Sequence, residues 1–392
     1  MEVKKPTFIL IMLLFLISGL WAQENEIDNI KKELYKIEDF NKSGKSNFLL
    51  RGYAHAGLNA DKDYFNFDGG SFNPILVFKQ SDRLLFESEL ELEMDGSDLS
   101  IGLEYANISY LLSKTLTIRA GKLLLPFGIF VPNLHPAWIN KFATKPLGLG
   151  HGGILPSSDF GFALEGGSYI GNVKVNYATY VINGPRLNDG LDEPDEAGML
   201  HHGIYPDNNN NKAFGGRLGI FPFPSSVLEV GFSGMHEKVG NKDSQYADVA
   251  SILLGADLSF VKKISALKSM VDIKSQYSQV KTDDANYVNT ETGTYSFNNF
   301  SSTFFGQLSI KPAFLENVFL RKLELAARFS TMKTPKESMW ATNQNQLELG
   351  LDYWIDWRTV IKATYTIAST NDEAFKDTLP NNVFLLHWAI GF

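Results

Sequence analysis

The chain has no cysteine in its 392 residues, which removes a disulfide framework, a thiolate metal site and a lipid anchor on cysteine. Positive charge is not in excess. Lys and Arg number 36 against 44 Asp and Glu, and the net charge of -8 argues against a nucleic-acid partner. Beyond the first two dozen residues no run approaches the ~18 apolar residues that would mark a helical membrane span. A Pro/Ser-rich linker is also lacking after residue 45, so one architecture has to accommodate everything beyond that point.

At the start of the chain Lys4 and Lys5 precede an apolar run from Phe8 to Leu20, then Trp21-Ala22 and a polar QENE. This is the layout of a secretory signal peptide, expected over 1–22 with cleavage near Ala22. Its apolar core is short for a transmembrane anchor.

What the rest of the chain does contain is period-two alternation. RLLFESELELEMD, from Arg83, puts Leu84, Phe86, Ser88, Leu90, Leu92 and Met94 on one face and Leu85, Glu87, Glu89, Glu91 and Glu93 on the other. A helix would spread those glutamates around its circumference. Similar alternation recurs in NVKVNYATYV, RKLELAARFS, QLELGLDYWI and WRTVIKATYTI. Strands are predicted near 47–58, 72–80, 83–95, 99–112, 115–124, 159–169, 172–182, 212–221, 226–236, 249–260, 268–280, 300–313, 321–331, 345–355, 357–367 and 383–392. Connections alternate between short turns and mostly longer loops at 59–71, 125–158, 183–211, 237–248, 281–299, 332–344 and 368–382.

An even number of long strands, short turns at one end and long loops at the other predict an all-β fold, a transmembrane antiparallel β-barrel of about 16 strands over 46–392. Eighteen strands would result if 125–158 contributed a hairpin, and a soluble β-sandwich is the competing arrangement. Closure leaves no strand edge unpaired in lipid. The charged inner faces then need water, because an unpaired buried charge costs several kcal/mol, and a barrel of this size leaves an aqueous channel. The sequence ends NNVFLLHWAIGF, whose Phe384, Leu386, Trp388, Ile390 and Phe392 are expected to face lipid while the strand closes on the first one. Between signal and barrel, Ile27, Ile30, Leu34 and Ile37 stand near helical spacing, so 23–45 reads as a short periplasmic helix or coiled coil.

From Arg119 the sequence reads RAGKLLLPFGIFVPNLHPAWINKFATKPLG. It resembles the stretch in phosphate-selective (O/P-type) porins where a strand ending G-x-x-x-x-P-F-G leads into a loop with aromatic and basic residues and a K/R-P-L step. Gly121, Pro126, Phe127, Gly128 and Lys145-Pro146-Leu147 hold those positions here. The ending of the chain also resembles the C-terminal aromatic signal of bacterial outer-membrane barrels. The resemblance implies a Gram-negative outer-membrane porin for passive diffusion of small hydrophilic solutes and an inward-folded loop over 125–158. It further implies a homotrimer, contact with outer-membrane lipid and lipopolysaccharide, and recognition by the barrel assembly machinery.

Read for itself, the segment from Lys122 to Ser158 holds Lys122, Lys141, Lys145, His135 and His151, no acidic residue and five prolines that stiffen it. Its apolar residues suit the inside of a barrel, and these five basic side chains become the candidate constriction, where Lys141, Lys145 and Lys122 would tilt the channel modestly toward anions. Solvation of the loop or binding of lipopolysaccharide phosphates is the plainer account of the same charges. Candidate pore-lining residues are Arg51, Glu87, Glu89, Glu91, Glu93, Glu104, Arg119, Lys174, Arg217, Lys274, Arg328, Glu348, Arg358 and Lys362, a mixed wall without the arginine ladder of a dedicated phosphate channel. Four glutamates along ~20 Å of strand, with no positioned nucleophile, do not make a catalytic pair. His201-His202 near Asp195, Glu196 and Asp207 reads as an acidic surface loop. No enzyme, metal centre or cofactor is expected. A surface receptor or adhesin is the alternative function.

Overall fold

The computed structural model describes residues 47–95, 98–150, 152–203, 205–289 and 293–392. The signal peptide and the helix expected over 23–45 lie outside the described residues.

Sixteen strands form a closed barrel: Phe48–Ala60 (β1), Phe65–Lys79 (β2), Leu84–Asp95 (β3), Asp98–Ser113 (β4), Leu116–Leu124 (β5), Ser158–Ile170 (β6), Val173–Ile182 (β7), Ala213–Phe221 (β8), Leu228–Lys238 (β9), Ala250–Ile264 (β10), Ser269–Thr282 (β11), Phe300–Lys311 (β12), Leu323–Lys333 (β13), Asn343–Trp354 (β14), Thr359–Ser369 (β15) and Val383–Gly391 (β16). Each pairs antiparallel with its sequence neighbour, and β16 closes on β1 from Tyr53↔Gly391 to Ala60↔Phe384. Phe392 continues that ladder, exchanging backbone hydrogen bonds of 2.9 and 3.0 Å with Gly52. Sixteen is the count because, among the described residues, 125–157 supplies no hairpin and one π-helical turn at Phe130–Leu134.

The two faces of the wall follow the period of two. Large apolar side chains such as Phe162, Phe232, Leu325, Leu351, Trp388 and Ile390 stand exposed on the outside. Alternate residues, among them Glu324, Arg328, Glu348, Asp352 and Lys362, point inward and are buried. An apolar jacket of this extent on a chain whose polar side chains face the interior requires lipid around it.

One expected loop is absent. The segment 59–71 is mostly strand, since β2 begins at Phe65 and the connection shrinks to 61–64. Gly69-Gly70, inside that expected loop, forms a bulge, with the β1–β2 register slipping between His55 and Gly57. Gly70 has φ +68°, and a Cβ there would lie 1.9 Å from the His55 carbonyl oxygen, so the bulge requires glycine.

Candidate channel constriction

The segment 125–157 enters the lumen from the top of β5. Gly128 makes the turn with φ +67°, and a Cβ at that position would strike the Gln276 amide 2.2 Å away. The first leg is held by β9 and β11. The Gly128 N–H donates to Ser233 Oγ (3.0 Å), and the N–H groups of Ile129 and Phe130 both donate to Gln276 Oε1 (2.9 and 3.1 Å). Phe127, Ile129 and Phe130 are buried with Met235, Leu253, Val280 and Phe305 of the inner wall. This apolar packing explains why β9 to β12 carry apolar residues on a nominally wet face.

The second leg is fastened by charge. Arg328 and Glu348, both fully buried, form a bidentate pair. The Arg328 guanidinium also donates to the Asn140 side chain (3.2 Å) and to the Thr144 carbonyl (2.9 Å), and stands 4.4 Å from the centre of the Phe142 ring. Lys362 Nζ donates to the carbonyl oxygens of Ala137, Asn140 and Phe142 at 2.6, 3.2 and 3.1 Å. Thr364 Oγ1 accepts from the Ala143 N–H (3.0 Å), and Lys141 pairs with Glu324 at 3.0 Å. Residues that sequence reasoning assigns to the water-facing wall therefore serve as anchors under the loop. Burying these charges is tolerable because every one has opposite charge or several acceptors around it.

Between the loop and β1–β4, β15 and β16 a cleft remains, with about 730 Å³ of empty volume including the part open to solvent. Glu91, Glu93 and Glu104 line it from one side together with His55 and His387; Lys145, His135 and Thr144 line it from the loop. The two wall imidazoles stack at 5.0 Å, and His55 Nδ1 lies 3.0 Å from Ser71 Oγ. Glu89 sits deeper, accepting from the Tyr53 hydroxyl (2.7 Å), with His135 Nε2 3.8 Å away.

The candidate residues thus separate. Lys145, His135, Glu91, Glu93 and Glu104 meet at the cleft, while Arg51 is paired with Glu87 on the adjoining wall. Lys141, Arg328, Glu348 and Lys362 hold the loop. Arg119 binds Glu165 (3.0 Å), Arg217 binds Glu229 and Asp257, and Lys274 binds Asp272 (2.8 Å) elsewhere on the inner face. Lys174 lies over the Phe221 ring at 4.6 Å. Lys122 departs from expectation: it shares parity with Ile118 and Ala120, opposite to inward Arg119, and its ammonium donates to the Leu103 carbonyl on the outer side. Arg358 lies in the 355–358 turn against Trp357 (4.0 Å) instead of on the wall. His151 lies outside the described residues. Sequence reasoning passed over Gln276, Ser233, Thr364, His55 and His387, although strand parity already placed His387 inward.

At the long-loop end, Leu187, Val239, Tyr246, Tyr287 and Phe297 bring three loops into one buried cluster, against which Trp340 of a fourth loop packs, with Tyr246 and Tyr287 stacked at 5.7 Å. Glu193, Glu196 and His201 place one ligand atom each within 4.8 Å of one another. That geometry suits a divalent cation, although His201 Nε2 already meets Glu196 at 2.7 Å. Asp195, His202 and Asp207 do not join the group.

No family model matches the chain, and no curated protein sequence is similar to it. Solved structures are. The chain is similar to the outer-membrane channel DcaP of Acinetobacter baumannii, with 12% identity over 88% of this chain and 97% of that one and a TM-score of 0.56. It is similar to Salmonella typhi OmpF in its complex with daunomycin, with 10% identity, 89% and 99% coverage and a TM-score of 0.55. The fold is that of the outer-membrane porins. An anion-selective porin from Comamonas acidovorans is similar too, at 10% identity, 89% and 100% coverage and a TM-score of 0.51.

Proposed function

We propose that the chain is a porin of a bacterial outer membrane: a water-filled channel for passive diffusion of small hydrophilic solutes. The observation that carries this reading is a charged cleft inside a closed barrel whose outer surface is apolar. Membrane supports the outside, water supports the inside, and the cleft supplies the passage.

Of the three loop lysines behind the expected anion tilt, Lys145 alone stands at the cleft, because Lys141 is paired with Glu324 and Lys122 turns outward. Phosphate-type selectivity would therefore depend on Lys145 with His135. Homotrimer formation, lipopolysaccharide contact and recognition by the assembly machinery belong to this same reading and rest on fold analogy. A surface receptor has one observation in its favour, the packed aromatic cluster that joins the outer loops.

Purified protein in a planar bilayer separates the two. A porin gives stepwise conductance and admits neutral sugars in liposome swelling; a receptor gives neither.

A further inference from the structure

At the long-loop end of the inner wall two acidic side chains are buried near each other, and neither lines the cleft. Asp159, at the start of β6, is 1% exposed, and Glu237, near the end of β9, is 2% exposed. Each Asp159 oxygen accepts a backbone N–H, Oδ1 from Phe160 and Oδ2 from Gly184, both at 2.7 Å. Glu237 approaches the same glycine: its Oε2 lies 2.9 Å from where a Gly184 Cβ would stand. Neither Glu237 oxygen makes a hydrogen bond among the described residues. The buried Tyr180 hydroxyl on β7 likewise lacks a partner there, and its ring lies over Gly215, where a Cβ would fall 2.4 Å from it. We propose that Asp159, Glu237 and Tyr180 form a binding site for a divalent cation of the calcium class.

The ionised group that acts on Glu237 is Asp159, another carboxylate, and Tyr180 feels Glu237 in turn. Around Asp159, Asp207 acts more strongly than Lys122, whose ammonium is turned to the Leu103 carbonyl, and Asp207 is itself paired with Lys212. The surroundings are apolar, since Tyr180 belongs to the buried cluster with Ile182, Ala213 and Met235. Two carboxylates without a cation in such a place are strongly unfavourable. A divalent ion cancels both charges and takes the two idle Glu237 oxygens as ligands, whereas a proton on Glu237 finds no acceptor in this geometry. The donors are all oxygen, which selects calcium or magnesium over zinc or copper. Burial leaves little room for the water shell that magnesium retains, so calcium is the better fit. Bound there, the ion fastens the 183–212 loop at Gly184 to β6 and β9.

The test refolds the full-length protein in detergent with CaCl2 or with EDTA and measures the calcium retained after desalting, together with the thermal midpoint. The expected result is about one calcium per chain and a higher midpoint in calcium than in EDTA, with Glu237→Gln retaining about tenfold less and losing the shift. Tyr180→Phe, which keeps the ring over Gly215, should weaken retention in the same direction. Glu193→Gln with Glu196→Gln should change neither readout, which sets aside the loop group of Glu193, Glu196 and His201 as the source. In EDTA, Glu237→Gln should be at least as stable as the unaltered protein because it removes a buried charge, so its loss of calcium is not a loss of fold. Calcium at background in the unaltered protein, or retention lost in the Glu193 and Glu196 variant instead of in Glu237→Gln, overturns the site. So does a gain in stability from Glu237→Gln that is the same in both media, which would mark a carboxyl pair sharing a proton.

Discussion

Arg328 Nη2 lies 2.7 Å from Glu348 Oε1 across neighbouring strands, both side chains fully buried beneath the loop that crosses the barrel. The pair ties two wall strands to Asn140 and Thr144, so the position of the constriction depends on residues that never touch the passing solute.

Removing one partner leaves the other as an uncompensated buried charge. Arg328→Ala should lower unfolding stability by about 3–5 kcal/mol. The loosened loop should also give larger or noisier conductance steps. Urea unfolding in detergent and single-channel traces check both, and a quiet channel of unaltered size would show that the loop does not depend on this clamp.

Phe127 is 2% exposed and fits against Gly255, where a Cβ would lie 2.9 Å from its ring. Phe127→Ala should cost about 3–5 kcal/mol through the cavity it leaves. Gly255→Val should damage the same contact by crowding. Equal thermal stability of all three proteins would place the ring outside the packed leg.

Trp388 is 58% exposed on the outer face of β16, whereas its neighbour Ala389 is buried inward. Trp388→Arg should destabilise the folded protein in lipid by about 2–4 kcal/mol if it sits near the midplane. Refolding titrations into lipid vesicles measure this. No penalty would mean that the aromatic stripe does not face acyl chains.

In the 183–212 loop, burial lowers His202 from 6.5 to about 4, and both ring nitrogens are sealed from water. A depressed histidine means that the unfolded loop binds the proton more readily than the folded one between those two values. Loop packing is therefore intact above pH 6.5, weakens as pH falls, and reaches its full loss below pH 4. Hydrogen exchange across 183–212, corrected for its intrinsic pH dependence, should rise on acidification and lose that rise in His202→Phe. Equal acid sensitivity in the two proteins would contradict the assignment.

The barrel was legible in the sequence because one period governs each strand: the glutamates at 87, 89, 91 and 93 can share a face only in a strand. The segment 59–71 misled because Gly69-Gly70 carries the same composition in a bulge as in a turn, and only the partner strand distinguishes them. The packing of Phe127, Ile129 and Phe130 against the wall has a sign in the sequence, apolar residues that a solvated loop would not keep. What could not be read was which inward charges meet water. Glu93 and Glu348 have identical parity and chemistry, yet one lines the cleft and the other lies under Thr144, a difference set by the loop's path through the lumen. Lys122 was misplaced for a related reason: it lies on β5, whose parity turns it outward, although it was grouped with the loop.

The central claim is an aqueous passage through the cleft between the loop and the β3–β4 wall. Since the chain has no cysteine of its own, a single introduced thiol reports without background. The measurement is bilayer current through Glu93→Cys and, separately, Trp388→Cys during addition of a charged, water-soluble thiol reagent. The account predicts stepwise current that falls on reagent addition for Glu93→Cys and does not change for Trp388→Cys. Current that ignores modification at Glu93, or an intact folded barrel that carries none, would contradict it.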